Sequence, residues 1–371
     1  MNKKYRIGIL GCGRVARFSH IDGWKRWQDR VEITALCDIL PEQIAATKKE
    51  QPEFCGQALE FTDYREMLAK APLDIVSVCS YGDKHLEHTT AVVESGRHAF
   101  MEKPAGYSLE EARRFRHLAR QYPEQKVAIA YGMRYQSASQ SFCALLRSGI
   151  LGEILTGEIS YSHPIFGEGH EQTHATLEDT GGHGRVRHTV PTDNYTDKAG
   201  NYIASSELTH STHPWDFARY LFGDAEACFA TRHRDGYTTM GIIWMKSGAL
   251  VSVLAGATAV PKIGGNQHQL CQVHGTKGSA WLTRDMYEPY KRHALYRTDG
   301  EIQTAPAVTD LADTSHAGLI RSKNFLDAIE GKAELICPLE DAAKTTELLH
   351  ALWLSERTHS RVPVFAANHT G

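Results

Sequence analysis

Residues 5–16 read YRIGILGCGRVA, and this stretch decides the fold of the first half of the chain. Its first six residues form a mostly apolar run typical of a buried strand, and the residues from Arg14 onward are typical of a helix. Between them lies a GxGxxA turn. Gly11 permits a tight bend, Gly13 lets the backbone approach a pyrophosphate, and Ala16 lets helix and strand pack closely. The strand before this turn and the helix after it predict a dinucleotide site.

Strand and helix signals continue to alternate up to about residue 131. The predicted strands cover residues 5–10, 31–37, 74–79, 97–101 and 127–131, and the predicted helices cover residues 14–27, 41–50, 86–95 and 108–120. Alternating elements of this kind form a parallel, doubly wound α/β sheet. We therefore expect a Rossmann domain over residues 1–130.

Residues 131–371 have a different pattern and are expected to form a second, α+β domain. The predicted strands cover residues 153–161, 226–232, 238–244, 249–255, 267–274 and 278–283, and the predicted helices cover residues 316–329 and 339–357. Short turns between several of these strands favour a large, mostly antiparallel open sheet. Residues 162–201 are polar and rich in histidine, and their length favours either a functional or a mobile loop.

A carboxylate ends the second predicted strand. Asp38 lies 22 residues after Ala16, where an acidic side chain can bind both hydroxyls of the adenosine ribose. It would repel a 2′-phosphate, and no arginine follows it in residues 39–41, so the sequence favours NAD over NADP. Further cofactor contacts are expected where the first helix begins and where later strands end, at Arg14, Val15, Ser80, His85, Glu102 and Lys103.

The tripeptide Glu102-Lys103-Pro104 follows the fourth predicted strand directly. Ligands of such folds bind at the carboxyl ends of the strands, so Lys103 is expected to face the nicotinamide crevice. A lysine there can act as a general acid or base, or hold a substrate hydroxyl. The tripeptide alone leaves an ordinary surface lysine as the alternative.

With these elements in place, the sequence resembles the glucose–fructose oxidoreductase and inositol dehydrogenase family (Gfo/Idh/MocA) over nearly the whole chain. The resemblance rests on the GxGxxA turn, Asp38, residues 85–96 with the EKP tripeptide after them, GMRY at 132–135, and HPWDFARYLFG at 213–223. It implies an NAD(P)-dependent dehydrogenase of sugars or cyclic polyols. It also implies a homodimer or homotetramer formed through the open sheet of the second domain.

The resemblance assigns roles to individual residues. Lys103 would bind the reacting oxygen and help to transfer its proton, and His213 would be its acid/base partner, since a neutral imidazole suits proton transfer near pH 7. Glu102 would position Lys103. Arg134 and Asp216 would lie near the substrate.

One position departs from the family pattern. The family usually has an aspartate four residues before the histidine, and this chain has Thr209 there. Threonine can hydrogen-bond a hydroxyl but cannot take its proton at neutral pH. Residues three and four apart share a helix face, so Thr209, His213 and Asp216 would line one wall. Glu207 and His210 are the nearby substitutes for the missing carboxylate, although neither lies on that face.

Two other functions stay open at this point. Some proteins with this fold keep NAD bound and recycle it, oxidising a sugar transiently, eliminating its glycosidic group and reducing it again, so an oxidoreductive glycosidase is the main alternative. A binding or regulatory protein without turnover is the other, although the presence of both Lys103 and His213 argues against it.

The segment HEQTH at 170–174 matches the HExxH pattern of zinc peptidases. Glycines crowd both of its ends and the apolar face of the required helix is thin. The extended pattern fails as well, because Leu177 and Thr180 stand where a glycine and a third histidine are needed. We therefore predict no metal site here. The simplest interpretation of the surrounding histidines is a polar loop that covers the active site or contacts another subunit, while Arg185 and Arg187 could meet an anionic group of the substrate.

The bulk composition limits the possible partners and compartments. The net charge is −3, which favours neither nucleic-acid binding nor membrane adsorption. The sequence contains no long apolar run, so neither a membrane span nor a signal peptide is expected. Eight scattered cysteines without a CxxC pair are typical of reduced thiols in a cytoplasmic protein.

Overall fold

The structure, a computed structural model, describes residues 4–164, 206–233, 238–258, 268–284, 292–308 and 317–364. The described residues fall into two compact units. The first consists of residues up to 132 together with residues 317–343, and the second consists of the remainder. None of the helices in these ranges is long and apolar enough to cross a membrane.

The first unit contains a six-stranded sheet in which all neighbouring strands are parallel. Its strands are β1 (Tyr5–Leu10), β2 (Val31–Cys37), β3 (Leu59–Phe61), β4 (Ile75–Val78), β5 (His98–Met101) and β6 (Val127–Ile129), in the order β3-β2-β1-β4-β5-β6. The chain changes direction across the sheet between β1 and β4, and ligands of open α/β sheets bind at this switch point, beyond the carboxyl ends of the strands. The predicted Rossmann sheet is confirmed.

Helices connect these strands. The first, α1, has a π-helical stretch (Ala16–Ile21) continued by an α-helical turn (Asp22–Lys25). It is followed by α2 (Pro41–Glu50), α3 (Pro52–Cys55), α4 (Tyr64–Lys70), α5 (His85–Glu94) and α6 (Leu109–Gln121), with a 3-10 turn over Gly82–Lys84 before α5. Ser108 caps the start of α6, since its hydroxyl accepts a hydrogen bond from the Glu111 N–H at 3.1 Å.

A helix from the far end of the sequence completes the first unit. This helix, here called α9 (Ala317–Ile329), packs on α1. Its Phe325 lies 5.2 Å from the ring of Phe100 and 6.3 Å from that of Trp24, centroid to centroid. Arg30 binds Asp327 at 2.9 Å. The boundary predicted at residue 130 assigns α9 to the second domain, whereas these contacts place it in the first unit.

The second unit contains a nine-stranded sheet. Its strands are β7 (Ile154–Pro164), β8 (Ala225–Arg232), β9 (Thr239–Met245), β10 (Leu250–Thr258), β11 (His268–Gly275), β12 (Ser279–Arg284), β13 (Arg292–Arg297), β14 (Gln303–Thr304) and β15 (Val362–Pro363), in the order β14-β13-β12-β11-β7-β10-β9-β8-β15. Neighbours are antiparallel except β7 and β10, which are parallel. The predicted mostly antiparallel sheet is confirmed.

Helices cover one face of this sheet. They are α7 (Ser137–Arg147), which packs on β12 and β13, and α8 (Ser206–Phe222), which packs on β7 and β10. The last helix of the chain is α10 (Leu339–Thr358), and β15 follows it. Trp215 of α8 is fully buried, and a Cβ at Gly241 of β9 would lie 2.9 Å from its ring. A side chain at that position would therefore push α8 off the sheet.

Candidate active site

The glycine-rich turn after β1 has the geometry of a phosphate site. Gly11 has a φ of +90°, and a Cβ there would lie 2.7 Å from the backbone of Cys79 and Ser80. Only glycine fits that position. A Cβ at Gly13 would meet nothing within 4 Å, so this glycine leaves open space next to the start of α1. A helix start with adjacent free volume is where a pyrophosphate binds.

Asp38 is tied to the same turn. Its Oδ2 accepts a hydrogen bond from the Cys12 N–H at 2.7 Å, and its Oδ1 accepts one from the Leu40 N–H at 3.0 Å. Burial raises the pKa of this carboxyl, and the two backbone hydrogen bonds oppose that rise. A carboxylate has about four acceptor positions, so two contacts leave capacity for ribose hydroxyls.

The remaining predicted cofactor residues of the first unit differ in their surroundings. Arg14 and Val15 are exposed at the start of α1. His85 is 1% exposed. Its two ring nitrogens lie 3.0 Å from the carbonyl of Pro104 and 2.9 Å from the carbonyl of Ser80. His85 therefore joins the segment after β4 to the EKP segment, which is a positioning role.

Glu102 and Lys103 follow β5 at the carboxyl end of the sheet. The Glu102 N–H donates to the Val78 carbonyl at 2.9 Å, so the strand alignment carries into the tripeptide. The carboxylate of Glu102 accepts a hydrogen bond from the Lys103 N–H at 3.2 Å. Burial lowers the pKa of the Lys103 amine, while the charge of Glu102 partly restores it. A lysine with a lowered pKa is suited to proton transfer.

Two residues beside Glu102 were not predicted from the sequence. His20 of α1 lies with Nε2 3.1 Å from Glu102 Oε1. Arg321 of α9 is 3% exposed, donates to the Ser19 hydroxyl at 2.9 Å and stacks over Phe100. His20 carried a signal that could have found it, because it shares a helix face with Ala16 and interrupts an otherwise apolar stripe. Arg321 carried none, since it lies about 220 residues further along the chain.

In the second unit, Arg134 and Asp216 form a buried ion pair. Arg134 Nε lies 2.8 Å from Asp216 Oδ2 and its Nη2 lies 2.6 Å from Oδ1. The two side chains are 2% and 1% exposed. Thr345 adds a hydrogen bond to Asp216 at 2.8 Å. Sequence analysis placed both residues near the substrate, but their burial suits a supporting role beneath the site.

His213 lies on α8 one turn before Asp216. It is partly exposed, and its ring centroid lies 6.1 Å from that of Tyr161 on β7. The buried residues Trp215 and Phe217 fix this part of α8 on the sheet. Because Asp216 is held by Arg134, the rotation of the helix that presents His213 is fixed as well.

Several predicted residues lie outside the described part of the chain. These are Arg185, Arg187 and the HEQTH segment, together with the side chains of Thr209 and His210, whose backbone belongs to α8. Their proposed roles stay predictions.

Comparison with known families covers both units. A family model described as "Oxidoreductase family, NAD-binding Rossmann fold" matches residues 5–131, and one described as "Oxidoreductase family, C-terminal alpha/beta domain" matches residues 198–364. This chain belongs to the Gfo/Idh/MocA oxidoreductase family. The resemblance inferred from the EKP and HPWD segments is thereby confirmed, as is an NAD-binding Rossmann domain.

This chain is similar to a D-glucoside 3-dehydrogenase of Escherichia coli (strain K12), with 24% identity over 96% of this chain and 97% of that protein. An alpha-N-acetylgalactosaminidase of Shewanella oneidensis is 28% identical, but the match covers only 46% of this chain and 38% of that protein.

Solved structures share the fold. The WlbA dehydrogenase of Bordetella pertussis, in complex with NADH and UDP-GlcNAcA, has a TM-score of 0.73 at 18% identity over 98% of this chain and 99% of that one. A putative myo-inositol dehydrogenase of Sinorhizobium meliloti has a TM-score of 0.70 at 18% identity over 98% and 100% of the two chains. At this level of identity the likeness shows the fold alone.

Proposed function

We propose that this protein is an NAD-dependent dehydrogenase that acts on a hydroxyl-bearing carbon of a sugar or a cyclic polyol. The observation that carries the proposal is Lys103, a lysine of lowered pKa at the carboxyl end of β5, in the same unit as the glycine turn and Asp38. The D-glucoside 3-dehydrogenase that matches nearly the whole chain supports the substrate class.

Lys103 would hold the substrate hydroxyl and take its proton. Its lowered pKa increases the fraction of neutral amine near pH 7, and Glu102 keeps the ammonium product stable. We propose His213 as the acid/base partner of Lys103, the role that the family resemblance assigns to it. NAD supplies the hydride acceptor when it is bound.

The residues of the first unit fit NAD. Gly13 leaves room for the pyrophosphate, and the remaining acceptor positions of Asp38 suit the two ribose hydroxyls. A 2′-phosphate would meet the negative charge of that carboxylate, so we propose NAD rather than NADP.

Replacing Lys103 with alanine tests the assignment. Lys103→Ala should reduce turnover below detection while NAD affinity, measured by quenching of protein fluorescence, changes less than threefold. Lys84→Ala is the matched control, because Lys84 is an exposed lysine of the same unit paired with Glu87. Full activity in Lys103→Ala would refute the role of this lysine.

The oxidoreductive glycosidase is the second candidate. What favours it is the match to the alpha-N-acetylgalactosaminidase and to glycosyl hydrolase family 109 proteins of Shewanella, which extends over 46% of this chain. Thr209 in place of the usual aspartate fits an altered proton transfer. The two functions separate in one experiment: the protein purified without cofactor is denatured, and released NAD(H) is measured by absorbance and mass.

Sugars, polyols and aryl glycosides are then screened with and without NAD. A protein without bound NAD that forms stoichiometric NADH is a dehydrogenase. Near-stoichiometric bound NAD with glycoside cleavage and no net NADH identifies a glycosidase.

We also propose a homodimer or homotetramer formed through the outer face of the nine-stranded sheet. Apolar side chains alternate outward on neighbouring strands there, and Met240, Leu250 and Leu270 are 56%, 39% and 50% exposed. Exposed apolar patches of this kind are typical of subunit contacts. Met240→Glu with Leu270→Glu should give a monomer in light scattering. The cytoplasm is the compartment we propose, since all eight cysteines are free thiols.

A further inference from the structure

His20 is a buried histidine beside the EKP tripeptide, and the chemistry proposed above gives it no role. It lies in the π-helical stretch of α1, is 1% exposed, and its ring centroid is 5.1 Å from that of Phe100. Single π-helical turns inside helices are frequent at functional sites. What His20 contacts is the carboxylate of Glu102, at 3.1 Å.

The hydrogen-bonding pattern fixes the protonation state of the ring. A carboxylate only accepts, so Nε2 carries the hydrogen that points to Glu102. The other ring nitrogen, Nδ1, is buried and has no hydrogen-bond partner among the described residues. A second proton on the ring would leave a buried N–H unsatisfied. Burial lowers the pKa of His20 to about 4, with the charge of Arg321 adding to the effect, so the ring is neutral near pH 7.

The charges around Glu102 make that neutrality important. Burial raises the pKa of Glu102, but the contact with His20 and two nearby positive charges together lower it by more. These charges are Lys103, the next residue in the chain, and Arg321 of α9. His85 of α5 and the Cys79 thiol after β4 are further titratable groups next to this cluster; burial lowers the pKa of His85 and raises that of Cys79. Neutral His20 therefore binds the carboxylate without adding a third positive charge.

We propose that His20 is a positioning residue that acts through Glu102. As a neutral hydrogen-bond donor it holds the carboxylate and offsets part of its negative charge. The basicity of the Lys103 amine is thereby kept in a range where the amine can both take up and release a proton. The inference rests on the proposed role of Lys103. Glu102 connects the two residues, because its Oε1 contacts His20 and its Oε2 accepts the Lys103 N–H.

Two substitutions test this. His20→Gln keeps an N–H donor near the position of Nε2, and His20→Met keeps the volume but has no donor. In His20→Met, more of the field of the carboxylate acts on Lys103, so the pKa of Lys103 should rise by about 0.5–1 unit. The acidic limb of the pH profile of kcat should shift to higher pH by the same amount. At pH values below this limb, kcat should fall by about three- to tenfold. His20→Gln should leave both values within about 0.2 units of wild type.

The pKa of Lys103 is measured by carbon-13 NMR of the full-length protein with dimethylated lysines, where its signal is the one lost in Lys103→Arg. A shift in His20→Met that is absent in His20→Gln supports the proposal. No shift, or equal shifts in both variants, overturns it. The NMR measurement needs no substrate. A wild-type protein without NAD-dependent turnover would therefore refute the proposed dehydrogenase activity but would not decide the proposed effect of His20 on Lys103.

A measurement on the wild type makes the test independent of variant folding. Nitrogen-15 NMR should find the His20 ring neutral, with its hydrogen on Nε2, from pH 5 to pH 8. A ring that is doubly protonated at pH 6.5 would overturn the proposal.

Discussion

Replacing Asp216 with asparagine removes the charge from the buried pair that supports α8. An asparagine offers one acceptor oxygen and an NH2 group that cannot accept, so the guanidinium of Arg134 would lose at least one of its two contacts, at 2.8 and 2.6 Å. It would also lose its negative partner while staying 2% exposed. Removing one partner of such a pair costs about 3–5 kcal/mol in the free energy of unfolding, because the other charge stays buried. At about 2–4 °C per kcal/mol for a unit of this size, Asp216→Asn should lower Tm by about 6–20 °C.

Scanning calorimetry measures this directly, and Glu226→Gln is the matched control. Glu226 of the same unit pairs with Arg361 at 3.3 Å, but both side chains are exposed, at 62% and 50%. Loss of this pair should cost no more than about 1 kcal/mol. The double variant Arg134→Met, Asp216→Leu should recover most of the stability, because no buried charge is left.

An Asp216→Asn variant with a Tm within about 2 °C of wild type and a raised KM would refute this reasoning. Asp216 would then bind the substrate directly, as the sequence pattern suggested. Loss of stability with an unchanged KM in the surviving protein supports the supporting role inferred from the structure.

Three further outcomes are expected. Gly13→Val should fold normally, since nothing lies within 4 Å of its Cβ position. It should weaken NAD binding in calorimetric titration by more than about tenfold. Gly300→Val is the control, because its Cβ position is equally open, and equal NAD affinity of the two variants would refute the phosphate site. Asp38→Asn should lower the preference for NAD over NADP by about tenfold in kcat/KM, from loss of one repulsive charge; an unchanged ratio would remove Asp38 as its cause. Replacing Arg185 and Arg187 with alanine should raise KM only for anionic substrates, and no change for any substrate would end that idea.

The first unit was largely predictable because its signals are local. The strand, the glycine turn and the helix after it are contiguous in residues 5–25, and parallel strands buried on both faces are continuous apolar runs. The elements β3, α3 and α4 were missed, since segments of three, four and seven residues carry too little periodicity.

The second unit was predictable in kind but not in extent. Six strands were predicted, whereas β13, β14 and β15 were missed: β14 and β15 have two residues each, and β13 begins and ends with an arginine. The parallel pairing of β7 with β10 joins strands about 90 residues apart, and nothing in either strand indicates it. The partners of Glu102 could not be predicted either. The sequence shows that Glu102 follows β5, but His20 and Arg321 come close to it only in the folded chain.

The position of α9 also has a consequence for synthesis. The sheet of the first unit begins with Tyr5, but the hydrophobic core of this unit includes Phe325. Its edge strand β6 also pairs, through Ala128, with Pro338. Neither contact can form until the ribosome has passed residue 338. Nearly all of the second unit is made in between. A nascent chain made only as far as residue 132 therefore lacks these contacts, which leaves Trp24 and part of a sheet edge more exposed, the kind of surface that chaperones bind. The first unit precedes the second along the chain, but its core is complete only after most of the second unit has been made.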